Sequence, residues 1–277
     1  MKRFCTQGAR LLAALIFFLI ISALAVSCGS ASEYIIVVAG STSVQPYAEV
    51  LAEEFAHSRP EIEVDVQGGG SSAGITAARS GTAEIGMSSR HLKDSEAGLW
   101  SVEIAKDGLV LIVHPSNPIN DLSLDQIREI YAGDITNWSE LGGADARIHL
   151  ITREESSGTR SAFEELVMKK KPISPKAIVQ DSNGAVRQLV SSDKRSIGFI
   201  SLGLADDSVK AISLEGIRAT MENVKNETYA LHRPFLFVCA DEPAGAAKLF
   251  VDYTLSAEGM GILIAEGLIP GSGGLSQ

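Results

Sequence analysis

Arg153-Glu154-Glu155-Ser156-Ser157-Gly158-Thr159-Arg160 lies between an apolar run, Ile148 to Ile151, and a helical pattern at Phe163, Leu166 and Val167. The order is strand, polar turn, helix start. Ser157 is placed to cap the helix through its hydroxyl. Gly158 lets the backbone approach whatever lies beyond the turn. The first amides of the helix then face that object, backed by the positive end of the helix dipole. Arg153 adds a planar cation that grips with two donors at once. These features make an oxyanion cradle.

The same unit recurs along the chain. Tyr34 to Ala39 is an apolar, β-branched strand, followed by Gly40-Ser41-Thr42-Ser43 and a helical pattern through Phe55. Pro46 fits only the first turn of that helix, which puts its start near Ser43. Ile62 to Val66 alternates as a strand and runs into Gly68-Gly69-Gly70-Ser71-Ser72-Ala73-Gly74. Ile85-Gly86-Met87 leads to Ser88-Ser89-Arg90, and Ser182-Asn183-Gly184 opens a helix through Val190. Leu109 to His114, Ile197 to Ile200 and Leu231 to Ala240 are further strands, and Ser123-Leu124-Asp125-Gln126 is a capping box. Strands alternating with helices predict an α/β fold with a largely parallel sheet. Ligands of such folds sit at the carboxyl ends of the strands, where these polar turns fall. A single hydroxyl-rich turn is an ordinary helix cap. Several of them, with Arg153 and Arg90 at hand, predict anion binding.

Other chemistries find less support. Gly70-Ser71-Ser72-Ala73-Gly74 fits the G-x-S-x-G elbow of serine hydrolases, which would make Ser72 a nucleophile, with His232 as base and Asp206 or Asp207 as acid. The five histidines do not pair at metal-ligand spacing, so neither a metal nor a cofactor is expected. No phosphate loop ending in Lys-Ser or Lys-Thr is present. The formal net charge of −10 argues against a nucleic-acid partner. It does not oppose a buried anion site, because distant surface charges are screened beyond roughly 8 Å at physiological salt.

The N-terminus carries an export signal. Lys2, Arg3 and Arg10 precede an apolar run from Leu11 to Val26, which is short for a membrane span. Residues 1–27 are expected to be removed. Leu24-Ala25-Val26-Ser27-Cys28 is similar to a bacterial lipobox, with Cys28 as the lipidated first residue of the mature chain and residues 28–33 as a tether; ordinary cleavage near Ala31 is the alternative. Cys239 lies in an apolar run and is expected to be a core residue, so there is no disulfide framework.

These pieces together resemble the phosphate-binding proteins of phosphate ABC importers, the PstS type. The resemblance runs from about Tyr34 to Pro270. It rests on Ala39-Gly40-Ser41-Thr42-Ser43 with Pro46, on Gly68 to Ile75, on Glu84 to Arg90, on Tyr131-Ala132-Gly133-Asp134-Ile135-Thr136-Asn137-Trp138, and on Arg153 to Arg160. It implies a two-lobed type II periplasmic binding fold, each lobe a mostly parallel sheet flanked by helices. Lobe I would be 34–113 plus 232–277, and lobe II 114–231. The ligand, inorganic phosphate, would lie between lobes that close by a hinge. Carried over by motif, Thr42 and Ser43 would donate from lobe I, with Ser41 beside them. Ser71 and Ser72 would donate from the glycine loop, and Arg153, Ser157, Gly158 and Thr159 from lobe II, with Glu155 orienting Arg153. Some relatives have an aspartate where this chain has Ser89 or Arg90; that carboxylate takes the proton of hydrogen phosphate and so rejects sulfate. Here Ser89 would be a donor and Arg90 a second cation. The implied protein is a non-enzymatic, monomeric receptor that delivers phosphate to an ABC permease. Another tetrahedral oxyanion, sulfate, molybdate or tungstate, is the alternative ligand.

Overall fold

A computed structural model describes residues 34–271. The expected signal peptide, Cys28 and tether lie outside the described residues. The chain opens with β1 (Tyr34–Gly40), α1 (Gln45–Ser58), β2 (Ile62–Gln67), α2 (Ser71–Ser80) and β3 (Ile85–Ser88). Strand β4 (Trp100–Val113) follows, then β5 (Asp121–Leu122) and α3 (Leu124–Ala132), whose Ser123 and Gln126 form the expected capping box. Next come β6 (His149–Arg153), α4 (Gly158–Phe163) and a π-helical turn, Glu164–Met168, that continues α4. The second half holds β7 (Ile178–Gln180), α5 (Asn183–Ser192), β8 (Ser196–Ser201), β9 (Lys210–Ala211), β10 (Ser213–Leu214) and α6 (Met221–Lys225). The described chain ends with β11 (His232–Cys239), α7 (Gly245–Leu255), α8 (Ala257–Ala265) and β12 (Ile269–Pro270).

The strand order β2-β1-β3-β11-β4-β8-β6-β7 carries the architecture. At one end β1 pairs in parallel with β2 and β3; at the other, β6 pairs in parallel with β7 and β8. The middle is antiparallel. β11 runs against β3 and β4, and β4 against β8. β4 and β11 are thus the strands that join two parallel half-sheets.

Two main apolar cores follow. The first gathers Ile36 and Val38 of β1, Tyr47, Leu51 and Phe55 of α1, and Phe250 and Leu263 of α7 and α8. The second gathers Ile127, Ile130 and Tyr131 of α3 with Phe163 and Phe199, whose rings stack at 4.1 Å. Each fully buried aromatic or aliphatic side chain contributes roughly 1.5–3 kcal/mol by leaving water. Ile104 and Ala105 belong to the first core, whereas Leu109, Leu111 and Val113 belong to the second. The crossing between lobes therefore falls inside β4, near Ala105 to Leu109, and not after Val113 as the sequence suggested. Trp100 to Gly108 carries no strand pattern in the sequence, because Ser101, Glu103, Lys106 and Asp107 break its apolar run. Cys239 sits in the first core, and burial pushes its thiol up to about 11.

Candidate functional site

Four strand-to-helix turns meet where the lobes face each other: those leading into α1, α2, α4 and α5. Ser41, Ser43, Ser71, Ser89, Arg153, Ser157, Thr159 and Asn183 are all buried there. So many buried polar groups require partners, and most of them find one another. Within lobe I, the Ser41 hydroxyl accepts from the Ser43 amide at 3.2 Å and donates to Ser89 Oγ at 2.9 Å. The Ser89 amide donates to Ser71 Oγ at 3.0 Å.

Contacts between the lobes are equally direct. Ser43 Oγ lies 2.8 Å from Thr159 Oγ1, and Asn183 Nδ2 donates to the same Ser43 oxygen at 2.9 Å. The Ser72 amide donates to the Ser156 carbonyl at 3.1 Å, and Ser156 Oγ donates back to the Gly69 carbonyl at 3.2 Å. Two glycines allow this approach. Gly70, at φ 89°, caps α2, and a Cβ there would meet the Ser156 carbonyl oxygen at 2.7 Å. A Cβ on Gly158 would lie 2.1 Å from Ser71 Oγ and 2.5 Å from Ser89 Oγ. The cleft is closed.

Arg153 stands at the end of β6 and is 1% exposed. Its Nε and Nη2 donate to the Glu154 carboxylate at 2.9 and 2.8 Å. The carbonyls of Gln180 and Asp181, at the end of β7, hold the same two nitrogens, and Nη2 also reaches Thr42 Oγ1 at 3.0 Å. Nη1 is buried and has no protein partner. Glu154, and not Glu155, orients this arginine. At the end of the strand the chain turns so that Glu155 is exposed while Glu154 stays half-buried beside the guanidinium. Ser157 caps α4 by accepting from the Arg160 amide at 3.2 Å, which leaves its own proton free to donate. Arg160 turns away to Glu164 and to the Arg153 carbonyl.

Arg90 does not serve as the second free cation. Its two terminal nitrogens grip Glu96 at 2.7 and 2.8 Å, and that grip holds the Glu96 carboxyl below its ordinary range. The pair is formed because a buried guanidinium needs a counter-charge. Ser72 Oγ accepts from Arg90 at 3.3 Å. The hydrolase arrangement would need a histidine at that oxygen; the partner there is an arginine.

The second buried cation at the cleft is Arg233 of β11, which sequence reasoning missed. Its Nε and Nη2 donate to Asp107 Oδ2 at 3.0 and 2.9 Å, and Nη2 also reaches Ser43 Oγ at 3.2 Å. Burial pushes the Asp107 carboxyl up and the Arg233 guanidinium down, while their contact and the Ser201 hydroxyl oppose both shifts or that of Asp107. Neither residue lies in a motif. Each is a charged residue within a strand, Asp107 beside Lys106 in β4 and Arg233 beside His232 at the start of β11. Among the described residues no group of acidic, histidine or cysteine side chains could hold a metal.

Two α/β lobes closing on converging helix N-termini and a buried arginine define a receptor for a small anion. Residues 26–258 match the PBP superfamily domain. The phosphate-binding protein PstS of Bacillus subtilis is 31% identical over 84% of this chain and 79% of its own length. A crystal structure assigned as a phosphate ABC transporter substrate-binding protein with bound phosphate, from Clostridium perfringens, superposes with a TM-score of 0.83 at 46% identity, covering 85% of this chain and 99% of that one. An ABC-type phosphate transport receptor from Vibrio cholerae gives 0.74 at 40% identity, over 85% and 99% of the two chains. This chain belongs to the PBP superfamily, among the PstS-type phosphate-binding proteins of type II fold.

Proposed function

We propose that this protein is an extracytoplasmic receptor that encloses inorganic phosphate between its lobes and hands it to an ABC permease. The observation that carries the reading is Arg153 Nη1, a buried cationic donor without a protein partner, set among hydroxyls and helix N-termini. Thr42, Ser71, Ser89, Arg153, Ser157 and Thr159, with the amides that open α4, are the groups that would hold the anion. Micromolar binding requires about 8 kcal/mol. Several charge-assisted hydrogen bonds at roughly 1.5–3 kcal/mol each supply that after association costs. The reading is supported by relatives named as phosphate-binding proteins and by the phosphate-bound neighbour. On this reading the protein is a monomeric carrier and not an enzyme, held at the membrane by lipid on Cys28; among the described residues no helix is long and apolar enough to cross a membrane.

A receptor for sulfate, molybdate or tungstate is the second reading. It is favoured by Ser89 and Arg90, neither acidic, where some relatives have the carboxylate that reads the ligand's proton, and by the pairing of the Glu154 and Asp107 carboxylates with arginines. Calorimetric titration of the full chain with phosphate, and then with the other anions in competition, tests both. Phosphate should bind with micromolar affinity or better and resist displacement by equimolar sulfate. Equal competition selects the second reading, and absence of binding rejects both.

A further inference from the structure

The Ser43 hydroxyl has three neighbours and three bonding capacities, one proton and two lone pairs. Two neighbours can only donate. Arg233 Nη2 is a guanidinium nitrogen, 3.2 Å away. Asn183 Nδ2, at 2.9 Å, is identified as the amide nitrogen because the oxygen of the same side chain accepts from the Ser201 amide at 3.2 Å. These two fill both lone pairs. The third neighbour, Thr159 Oγ1 at 2.8 Å, must therefore receive the Ser43 proton. Thr159, having accepted, keeps its own proton for whatever occupies the cleft.

Both donors are themselves fixed by one residue. The Ser201 amide holds Asn183, and the Ser201 hydroxyl donates to Asp107 Oδ1 at 2.7 Å, the carboxylate that grips Arg233. The direction of every proton in this chain follows from groups that cannot reverse.

We propose that Asn183 and Arg233 are positioning residues that turn Ser43 from a ligand donor into an internal relay, so that of the Ser43–Thr159 pair it is Thr159 that presents its hydroxyl proton to the bound anion. Ser43 has no bonding capacity left for the ligand while these contacts hold. The junction joins Ser43 of lobe I to Asn183 and Thr159 of lobe II, so it forms only when the lobes close. It orders the donor at the moment of capture.

This proposal rests on the phosphate-receptor reading, and the test separates the two. Phosphate affinity is measured by calorimetry on the full chain carrying Asn183→Ala, Thr159→Val, both together, and Thr159→Ser, with thermal melts confirming that each variant is folded. Asn183→Ala and Thr159→Val should each weaken phosphate binding about tenfold or more. The double variant should be no weaker than the worse single variant to within about threefold, because Asn183 acts only through Thr159. Thr159→Ser, which keeps the hydroxyl, should stay within about threefold of wild type. Losses that multiply in the double variant, or an Asn183→Ala variant of unchanged affinity, overturn the relay alone. A wild-type chain that binds no phosphate overturns the receptor reading and the relay with it.

Discussion

Arg153 Nη2 donates to the Thr42 hydroxyl at 3.0 Å, and the two residues stand on opposite lobes. Arg153 thus does two things with one planar group. It fastens the lobes through Nη2, and it carries a buried donor, Nη1, that the protein leaves unpaired. The Glu154 carboxylate and the carbonyls of Gln180 and Asp181 fix the plane of the guanidinium on its other side.

A lysine at this position keeps the charge and loses the plane. One ammonium cannot reach Glu154, two carbonyls, Thr42 and a ligand together. Arg153→Lys should weaken phosphate binding about 10- to 100-fold, the equivalent of losing roughly 1.5–3 kcal/mol in charge-assisted hydrogen bonding. Arg153→Ala should do at least as much harm. Titration calorimetry reads both, and an affinity for the lysine variant equal to wild type would remove Arg153 from the site.

Gly158 tests closure separately from the ligand contacts. A methyl group there would lie 2.1 Å from Ser71 Oγ and 2.5 Å from Ser89 Oγ, both on the opposite lobe. With the lobes apart these contacts vanish, and alanine is a better helix former than glycine. Gly158→Ala should therefore leave the melting temperature without phosphate unchanged or slightly higher, while phosphate binding weakens at least about tenfold. A variant that binds normally would mean that the cleft does not close to the distance seen here.

How much of this was legible in the chain depends on where the information lay. The turns at Ser41, Ser71, Ser157 and Asn183 are local features. Each needs only a strand, a hydroxyl and a helix start close together in sequence, and all four lie at the cleft. Arg233 and Asp107 are far apart in sequence; Asp107 follows Lys106 in the polar half of β4, and Arg233 stands at the polar start of β11. Nothing local says that they meet. The exchange of Glu155 for Glu154 beside Arg153 has a different reason. At the end of β6 the two-residue alternation of a strand gives way to a turn, and only the backbone path decides which carboxylate faces Arg153. The partner of Arg90, Glu96, sits in a short 3-10 turn that carries no pattern of its own, so the sequence offers Arg90 as a free cation.

The Arg90–Glu96 pair makes a prediction about acid. Both side chains are largely buried, at 3% and 11% exposure, and their closest approach is 2.7 Å. The hydrogen bonds from Arg90, against an opposing penalty from burial, hold the Glu96 carboxyl below its ordinary value of 4.5. A carboxyl whose value is lower in the folded protein than in the unfolded chain stabilises the fold fully above the unfolded value. That contribution is lost as pH falls through the lower, folded value. Glu96→Gln should reduce the melting temperature at pH 7 by roughly 6–12 °C, since breaking such a pair costs about 3 kcal/mol and leaves a buried guanidinium without its counter-charge. The gap between wild type and variant should shrink as the melt is repeated from pH 5 down to about pH 3, because protonation then breaks the same pair in the wild type. A gap that stays constant over that range would show that Glu96 stabilises the turn by packing and not by its charge.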